Sequence, residues 1–363
     1  MTLLNLKRMV ESMKFEEMKK VDMNFGKTPI HRLSNLEKKL NGINLYLKRD
    51  DIGGYGVGGN KLRKLEYLVQ DALNKGATLL LTYGGIQTNH GRLTAAAARK
   101  FGLKCGIIMK GNPPNELSGN LLLDKLMGAD LHFIDDTKIT NEANYKEKYE
   151  ELYNKTLQTV IDKYEKKGEK VYYIPLGGSN NIGFAGYINV AKEIKTQMQE
   201  MDIAFDYVVS AYGSGGTFGG LLLGNKYFKC GFKTVGISVL DNSEESLAKD
   251  IKLFNDTSKF YEMGIEITRE DVWFEKKYLG KGYNEPDKAI REVIYTMARE
   301  EAVILDPCYT GKAFLGLMDM INNKAFKEGS NVLFIHTGGM PGNYSKSHLA
   351  EFNKDLWGSQ QVY

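Results

Sequence analysis

Apolar runs of strand length recur along this chain, and they alternate with helical patterns across short connections. Thr78 to Tyr83 is such a run, ended by Gly84-Gly85. Cys105 to Met109, Asp130 to Ile134, Val171 to Pro175, Tyr207 to Ala211, Val235 to Leu240 and Val332 to Ile335 are others, and Ile43 to Lys48 alternates like a strand. Between them the spacing predicts helices from Lys61, over Asn89–Lys100, over Leu117–Met127, from about Phe184 to Met198, and after Thr217. Thr88 is placed to cap the second of these and Gly102 to stop it. The charged stretch from Asp136 to Lys170 carries Tyr149, Leu152, Tyr153, Leu157, Val160 and Ile161 at helical spacing. It reads as a solvated helix with one apolar side rather than a linker. Alternation of this kind implies an α/β chain with mostly parallel sheets covered by helices on both faces. Ligands of such sheets bind at the carboxyl edge of the strands, and the glycine-rich stretches follow strands, so they can converge on one cleft.

A chain of 363 residues, 42% hydrophobic, can bury a large core and is expected to form two domains. A net charge of +4 with acids interspersed gives no footprint for nucleic acid. Cys105, Cys230 and Cys308 lie far apart, which suits a reduced compartment and argues against a disulfide framework or a zinc knuckle; no metal site is expected. The first twenty residues read as a short amphipathic helix carrying acids, without the apolar core of a signal peptide. No apolar run reaches the length of a membrane span, so a cytoplasmic chain is expected.

Chemistry concentrates at six places. In Gly58 to Glu66, two glycines and Asn60 set Lys61 in the first turn of a helix, where free backbone N–H groups favour anions and a lysine sheds its proton more easily; Lys64 follows one turn later. Gly213-Ser214-Gly215-Gly216-Thr217, between a strand and a helix, has the form of a phosphate cradle. The same stretch imitates a dinucleotide fingerprint through Gly213, Gly215 and Gly219, with Asp241 where a ribose-binding acid would stand. That rival, a nicotinamide-dependent oxidoreductase, departs from the G-x-G-x-x-G spacing and leaves Lys61, Thr88-Asn89-His90 and Tyr309 without a task. Gln87-Thr88-Asn89-His90 opens the alanine-rich helix with donors suited to a substrate carboxylate. Tyr283 and Tyr309 stand in glycine-bounded loops, and Thr337 sits in the glycine exit of the last strand. A reactive lysine, a phosphate cradle and a neutral hydroxyl together point to pyridoxal phosphate.

The motifs KRDD (48–51), GGNKLRKLEYL (58–68), GGIQTNHGRLTAAAA (84–98), PLGGSN (175–180), GSGGT (213–217), DPCYTGKA (306–313) and FIHTGG (334–339) occur in one order. On them the chain resembles the D-cysteine desulfhydrase and 1-aminocyclopropane-1-carboxylate deaminase family, among the tryptophan-synthase-β-like (fold type II) pyridoxal-phosphate enzymes. The resemblance runs from about Thr28 to Tyr344. It implies two open, mostly parallel twisted sheets flanked by helices, with residues 64–174 a small domain and 1–63 plus 175–363 a large one. It implies Lys61 as the Schiff-base lysine, Lys64 as the base near the phosphate and Asn89 at the cofactor's 3-oxygen. Gly213, Ser214, Gly215, Gly216 and Thr217 match the phosphate loop, and Thr337 the partner of the pyridine nitrogen. Thr88, Asn89 and His90 match the carboxylate-binding helix start, while Tyr283 and Tyr309 match the active-site tyrosines; Thr88, Tyr283, Tyr309 and Lys61 form the catalytic set. A homodimer is implied as well.

Three departures bear on the substrate. Thr88 stands where the family usually has serine. Thr310 follows Tyr309 where ring-opening members carry glutamate, which argues against the cyclopropane. LGKGYNEP (279–286) departs from the usual loop around the first tyrosine. The expectation is β-elimination from a small amino acid, D-cysteine first, giving pyruvate, ammonia and hydrogen sulfide. Opening of 1-aminocyclopropane-1-carboxylate, elimination from L-cysteine or another β-substituted alanine, and a non-catalytic protein that handles pyridoxal phosphate are the alternatives.

Overall fold

The computed structural model describes residues 13–23, 26–40, 42–240 and 243–358. The elements run β1 (Ile30–Arg32), α1 (Ser34–Glu37), β2 (Asn44–Lys48), α2 (Lys61–Asn74), β3 (Leu79–Gly85), α3 (Asn89–Lys100), β4 (Lys104–Lys110), α4 (Gly119–Leu126) and β5 (Asp130–Ile134). They continue with α5 (Tyr145–Glu165), β6 (Val171–Ile174), α6 (Asn181–Met201), β7 (Tyr207–Tyr212), α7 (Gly216–Phe228), β8 (Lys233–Ser238) and α8 (Glu244–Phe260). The last are β9 (Trp273–Glu275), α9 (Lys288–Glu301), α10 (Thr310–Asn322), β10 (Asn331–Ile335) and α11 (Lys346–Leu356). A six-stranded sheet has the order β1-β2-β10-β7-β8-β9, and a four-stranded sheet the order β5-β4-β3-β6. All pairings are parallel except β1 with β2. The expected α/β architecture with two parallel sheets is therefore present.

Most predicted strands and helices appear within a few residues of their expected ends. The expected ending of β3 at Gly84 is a correction, because both glycines still pair in the ladder with Met109 and Lys110. The α6 helix begins earlier than expected, at Asn181, because the Asn180 side chain accepts from Gly183 N at 2.8 Å and caps it there. Thr88 caps α3 as predicted, accepting from Gly91 N at 3.1 Å. The helix expected somewhere between 136 and 170 occupies Tyr145–Glu165, and its apolar side (Leu157, Val160, Tyr164) packs under the four-stranded sheet. Of the amphipathic segment expected over residues 1–20, 1–12 lie outside the described residues, and Phe15–Glu17 form a single 3₁₀ turn. Asp241 also lies outside them.

A buried ionic network ties the KRDD segment to the helices behind it. Lys48 Nζ donates to Glu193 Oε1 at 2.6 Å and to Gln197 Oε1 at 2.7 Å. Arg63 donates to Asp50 Oδ1 at 2.9 Å and to Glu193 Oε2 at 2.6 Å, and Tyr187 OH to Asp50 Oδ2 at 2.6 Å. Burial pushes the Asp50 carboxyl up, but Arg63 and Lys48 together hold it below its ordinary value. The network fixes β2, α2 and α6 to one another, and α2 carries Lys61. Helix packing adds a second constraint: a Cβ on Gly186 of α6 would lie 2.4 Å from Arg63 O, so only glycine allows this approach of α6 to the first turn of α2.

Candidate active site

Four helices begin at one cavity of about 250 Å³. Its wall includes Asn60 and Lys61 at the start of α2, Thr88, Asn89 and His90 at the start of α3, Gly215, Gly216 and Thr217 at the start of α7, and Tyr309 at the start of α10. The starts of α2, α3 and α7 contribute free backbone N–H groups and the positive ends of their dipoles, so the cavity favours anions before any side chain is counted, whereas the Asp306 carboxylate takes up the N–H groups at the start of α10. It opens at the carboxyl edges of both sheets, where Gly85 and Lys110 end β3 and β4, and Gly213 and Thr337 follow β7 and β10.

Lys61 Nζ reaches Asn60 Oδ1 at 3.2 Å, and Asn60 Nδ2 in turn donates to Thr217 Oγ1 at 2.8 Å. Burial lowers the Lys61 ammonium to about 8, Asp306 opposing and Arg92 assisting. Lys64 is fully buried, donates to Gly177 O at 3.0 Å, and is pushed well below its ordinary value by burial and by Lys61. Neither lysine has a carboxylate within ion-pair distance among the described residues. His90 is also buried, and among the described residues neither ring nitrogen finds a partner at hydrogen-bonding geometry. Burial, with Lys61 and Lys64 beside it, keeps its imidazole neutral against a weak pull from the Pro175 carbonyl.

Gly213 to Thr217 turn through a left-handed Gly215 (φ 74°), and Ser214 Oγ meets Ser179 Oγ at 2.9 Å. A Cβ on Gly216 would stand 2.3 Å from Lys64 Nζ and 2.4 Å from Ser179 Oγ. The loop therefore lies bare against a buried ammonium. Two lysines without counter-ions, an unpartnered imidazole and a glycine turn at a helix start fit the phosphate and aldehyde of pyridoxal phosphate.

On the other side, Asn89 Oδ1 accepts from Asn120 Nδ2 at 2.9 Å, and the Arg92 guanidinium donates to Asn120 Oδ1 at 2.7 Å. This fixes which way Asn89 faces. Tyr309 OH donates to Tyr283 OH at 3.3 Å, the rings meeting edge to face with centroids 6.0 Å apart. Burial raises both phenols, so each is a neutral hydroxyl at physiological pH. Asp306, fully buried, accepts from the backbone N–H of Cys308, Tyr309 and Thr310, at 3.0, 3.0 and 2.7 Å, and from Thr310 Oγ1 at 2.6 Å.

The structure thus brings Lys61, Thr88, Asn89, His90, Gly213–Thr217, Tyr283, Tyr309 and Thr337 to one wall. Lys64 lies behind the glycine loop rather than on the cavity. Thr310, read as a substrate determinant, does not line it: its side chain is fully buried and its hydroxyl is spent on Asp306. Sequence reasoning missed Tyr83, Lys110, Leu176, Ala211 and Leu240 on the wall, and the Asp306 hub behind it. Tyr83 and Lys110 sit on strand ends beside the glycines already singled out, and that position was the available signal.

The family model for pyridoxal-phosphate dependent enzymes matches residues 21–338. A relative from Pyrococcus abyssi, provisionally named a 1-aminocyclopropane-1-carboxylate deaminase, is 38% identical over 315 residues, covering 87% of this chain and 90% of that one. The 1-aminocyclopropane-1-carboxylate deaminase of Bradyrhizobium sp. (strain ORS 278) is 34% identical, covering 91% and 96%. A crystal structure described as a homologue of that deaminase superposes with a TM-score of 0.79 at 34% identity, covering 94% of this chain and 97% of the other. The chain belongs to the pyridoxal-phosphate dependent enzyme family.

Proposed function

We propose that this pyridoxal-phosphate-dependent enzyme performs a β-elimination on a small amino acid, with D-cysteine as first substrate and pyruvate, ammonia and hydrogen sulfide as products. The observation that carries this reading is the composition of the cavity wall. Among the described residues it holds Lys61, lowered to about 8, a second lysine in Lys110, the neutral phenols of Tyr83, Tyr283 and Tyr309, and no carboxylate. Expelling a thiolate asks only for a weak O–H acid near sulfur. Opening a cyclopropane asks for a proton delivered to a ring carbon.

Lys61 would hold the cofactor's aldehyde carbon, the loop 213–217 with Lys64 behind it the phosphate, Asn89 the 3-oxygen and Thr337 the pyridine nitrogen. When bound, pyridoxal phosphate supplies an electron sink for negative charge at the substrate's α-carbon. The start of α3, with Thr88, Asn89 and His90, receives the substrate carboxylate through its free N–H groups. Lys61 Nζ, with its lowered proton affinity, takes the α-proton. Tyr309 donates to Tyr283, so the Tyr283 O–H remains to protonate the departing sulfur. The two sheets would belong to the two domains expected from the sequence, 64–174 and the remainder.

The second reading is 1-aminocyclopropane-1-carboxylate deaminase, favoured by the relatives' names. Incubation with D-cysteine, L-cysteine, cysteate and 1-aminocyclopropane-1-carboxylate, scoring keto acid and sulfide, separates the two. Sulfide and pyruvate from D-cysteine is expected. A four-carbon keto acid from the cyclopropane with no sulfide from any cysteine overturns the first reading in favour of the second. A coloured protein that turns over none of the four makes it a cofactor-binding protein.

A further inference from the structure

The motif DPCYTGKA (306–313) contains two residues that the chemistry above leaves unused, Cys308 and Lys312. Both are buried, Lys312 completely, and Lys312 forms no ion pair among the described residues. A lysine placed in the interior without a counter-ion is costly to fold, so what its ammonium touches matters. It donates to Gly282 O at 2.6 Å. Cys308 Sγ donates to Asn284 Oδ1 at 3.0 Å. Between those two anchored residues stands Tyr283, whose hydroxyl meets Tyr309 OH at 3.3 Å.

Three consecutive loop residues, Gly282, Tyr283 and Asn284, are therefore each held by a different side chain of one short segment at the start of α10. The loop needs holding. It lies between β9 and α9, and Gly282 (φ 139°) and Asn284 (φ 59°) both have positive φ. For Asn284 that backbone is uncommon and must be imposed by its surroundings. The holding segment is itself rigid, because Asp306 accepts three of its backbone N–H groups. On its far side the Tyr283 ring rests on bare backbone: a Cβ on Gly85 would lie 2.9 Å from Cε1. The ring is thus caught between β3 and α10 and has one place for its hydroxyl.

We propose that Lys312 and Cys308 are positioning residues, clamping the loop so that Tyr283 and Tyr309 act as one proton-handling pair at the cavity. This rests on the reading that Tyr283 delivers a proton to the leaving group. Neither residue touches substrate or cofactor; both act through Tyr283.

The test uses the cofactor-loaded protein and four variants, Lys312→Met, Cys308→Ala, Cys308→Ser and Tyr283→Phe, together with Lys312→Met in the Tyr283→Phe background. Turnover is measured with D-cysteine, or with 1-aminocyclopropane-1-carboxylate where that is faster. Cofactor affinity is measured by absorbance titration, and hydrogen exchange is followed over 279–287. Lys312→Met is expected to lower kcat roughly ten- to a hundred-fold with cofactor affinity within about twofold. Exchange should rise at 282–284. Cys308→Ala should lose less, and Cys308→Ser, which keeps a donor, should recover most of that loss. In the Tyr283→Phe background Lys312→Met should cost under about twofold, because the group it positions is gone. An equal loss in both backgrounds, or unchanged exchange at 282–284, overturns the clamp. A Tyr283→Phe enzyme with full turnover overturns instead the role given to Tyr283, and the clamp's catalytic purpose with it. If Lys312→Met does not fold, the comparison of Cys308→Ala with Cys308→Ser decides: equal activity in both overturns the proposal.

Discussion

Replacing Gly186 with alanine tests whether the packing of α6 behind the first turn of α2 holds Lys61 in place. The added Cβ would lie 2.4 Å from Arg63 O, 2.6 Å from Arg63 C and 2.8 Å from Lys64 N, all backbone atoms of the first turn of α2. Real Cβ contacts do not fall below about 3.0 Å, so α2 or α6 must give way by roughly 0.6 Å. Backbone cannot swing aside as a side chain can, and the Arg63–Asp50–Glu193 network resists the shift. Overpacking of this kind costs about 1–3 kcal/mol. Displacing Lys61 and Lys64 by over half an ångström should cost roughly ten- to a hundred-fold in cofactor affinity. Gly224→Ala is the control: its Cβ meets Ile188 O at 2.6 Å and Ala191 Cβ at 2.7 Å, the same crowding between α6 and α7 away from α2. Urea unfolding of the apoprotein gives the stability cost, and cofactor titration by absorbance gives the affinity. Both variants should be destabilised, and only Gly186→Ala should bind cofactor weakly. Normal affinity in a destabilised Gly186→Ala, or equal affinity losses in the two, would refute the reasoning.

Other outcomes follow from the charges. With Lys61 lowered to about 8, the rate at which apoprotein takes up pyridoxal phosphate should climb about tenfold per pH unit below 8 and level off above it; an ordinary lysine would keep climbing toward 10.5. Arg63→Met leaves Asp50 and Glu193 buried without their main partner and should cost about 3–5 kcal/mol in urea unfolding. Asp124 is buried, its oxygens reach no hydrogen-bond partner among the described residues, and burial raises it from 3.8 to about 8 although Arg92 pulls the other way. Between those values the folded protein holds a proton that the unfolded chain has lost, so wild-type stability falls as pH rises toward 8. Asp124→Asn removes that slope, and its advantage over wild type in the unfolding midpoint should be larger at pH 9 than at pH 5.

Much of this arrangement is visible in the residues before folding. The strands β3, β4, β7 and β10 are apolar because both faces of their sheets are covered, and the glycines at or just past their ends mark the edge where helices start. Lys61, the 213–217 loop and the start of α3 could be found because each is a local pattern: a residue type at a helix N-terminus. What was not legible depends on distant partners. β1 is a three-residue antiparallel edge whose Ile30, His31 and Arg32 show no alternation. β9 is equally short, and its neighbour β8 lies far back in the chain. Lys110 looks like any exposed strand lysine until α5 brings Tyr149 beneath its ammonium, 4.7 Å from the ring centre. Thr310 misled for the opposite reason. Its place next to Tyr309 suggested the cavity, but at the start of α10 adjacent side chains point apart, and Thr310 turns inward to Asp306. The three tethers to Gly282, Tyr283 and Asn284 join segments more than twenty residues apart and leave no periodic trace.

Lys61 and Lys64, one turn apart, are proposed to have different tasks: Lys61 bonds the cofactor and Lys64 supplies charge behind the phosphate loop. Borohydride reduction of the loaded protein fixes the cofactor to the lysine that holds it, and peptide mapping by mass spectrometry identifies that residue. The label should fall on Lys61, remain there in Lys64→Met at weaker cofactor affinity, and vanish in Lys61→Ala together with the absorbance near ~410–420 nm. A label on Lys64 or on any other lysine in the native protein, or one that survives in Lys61→Ala, would contradict this division of tasks.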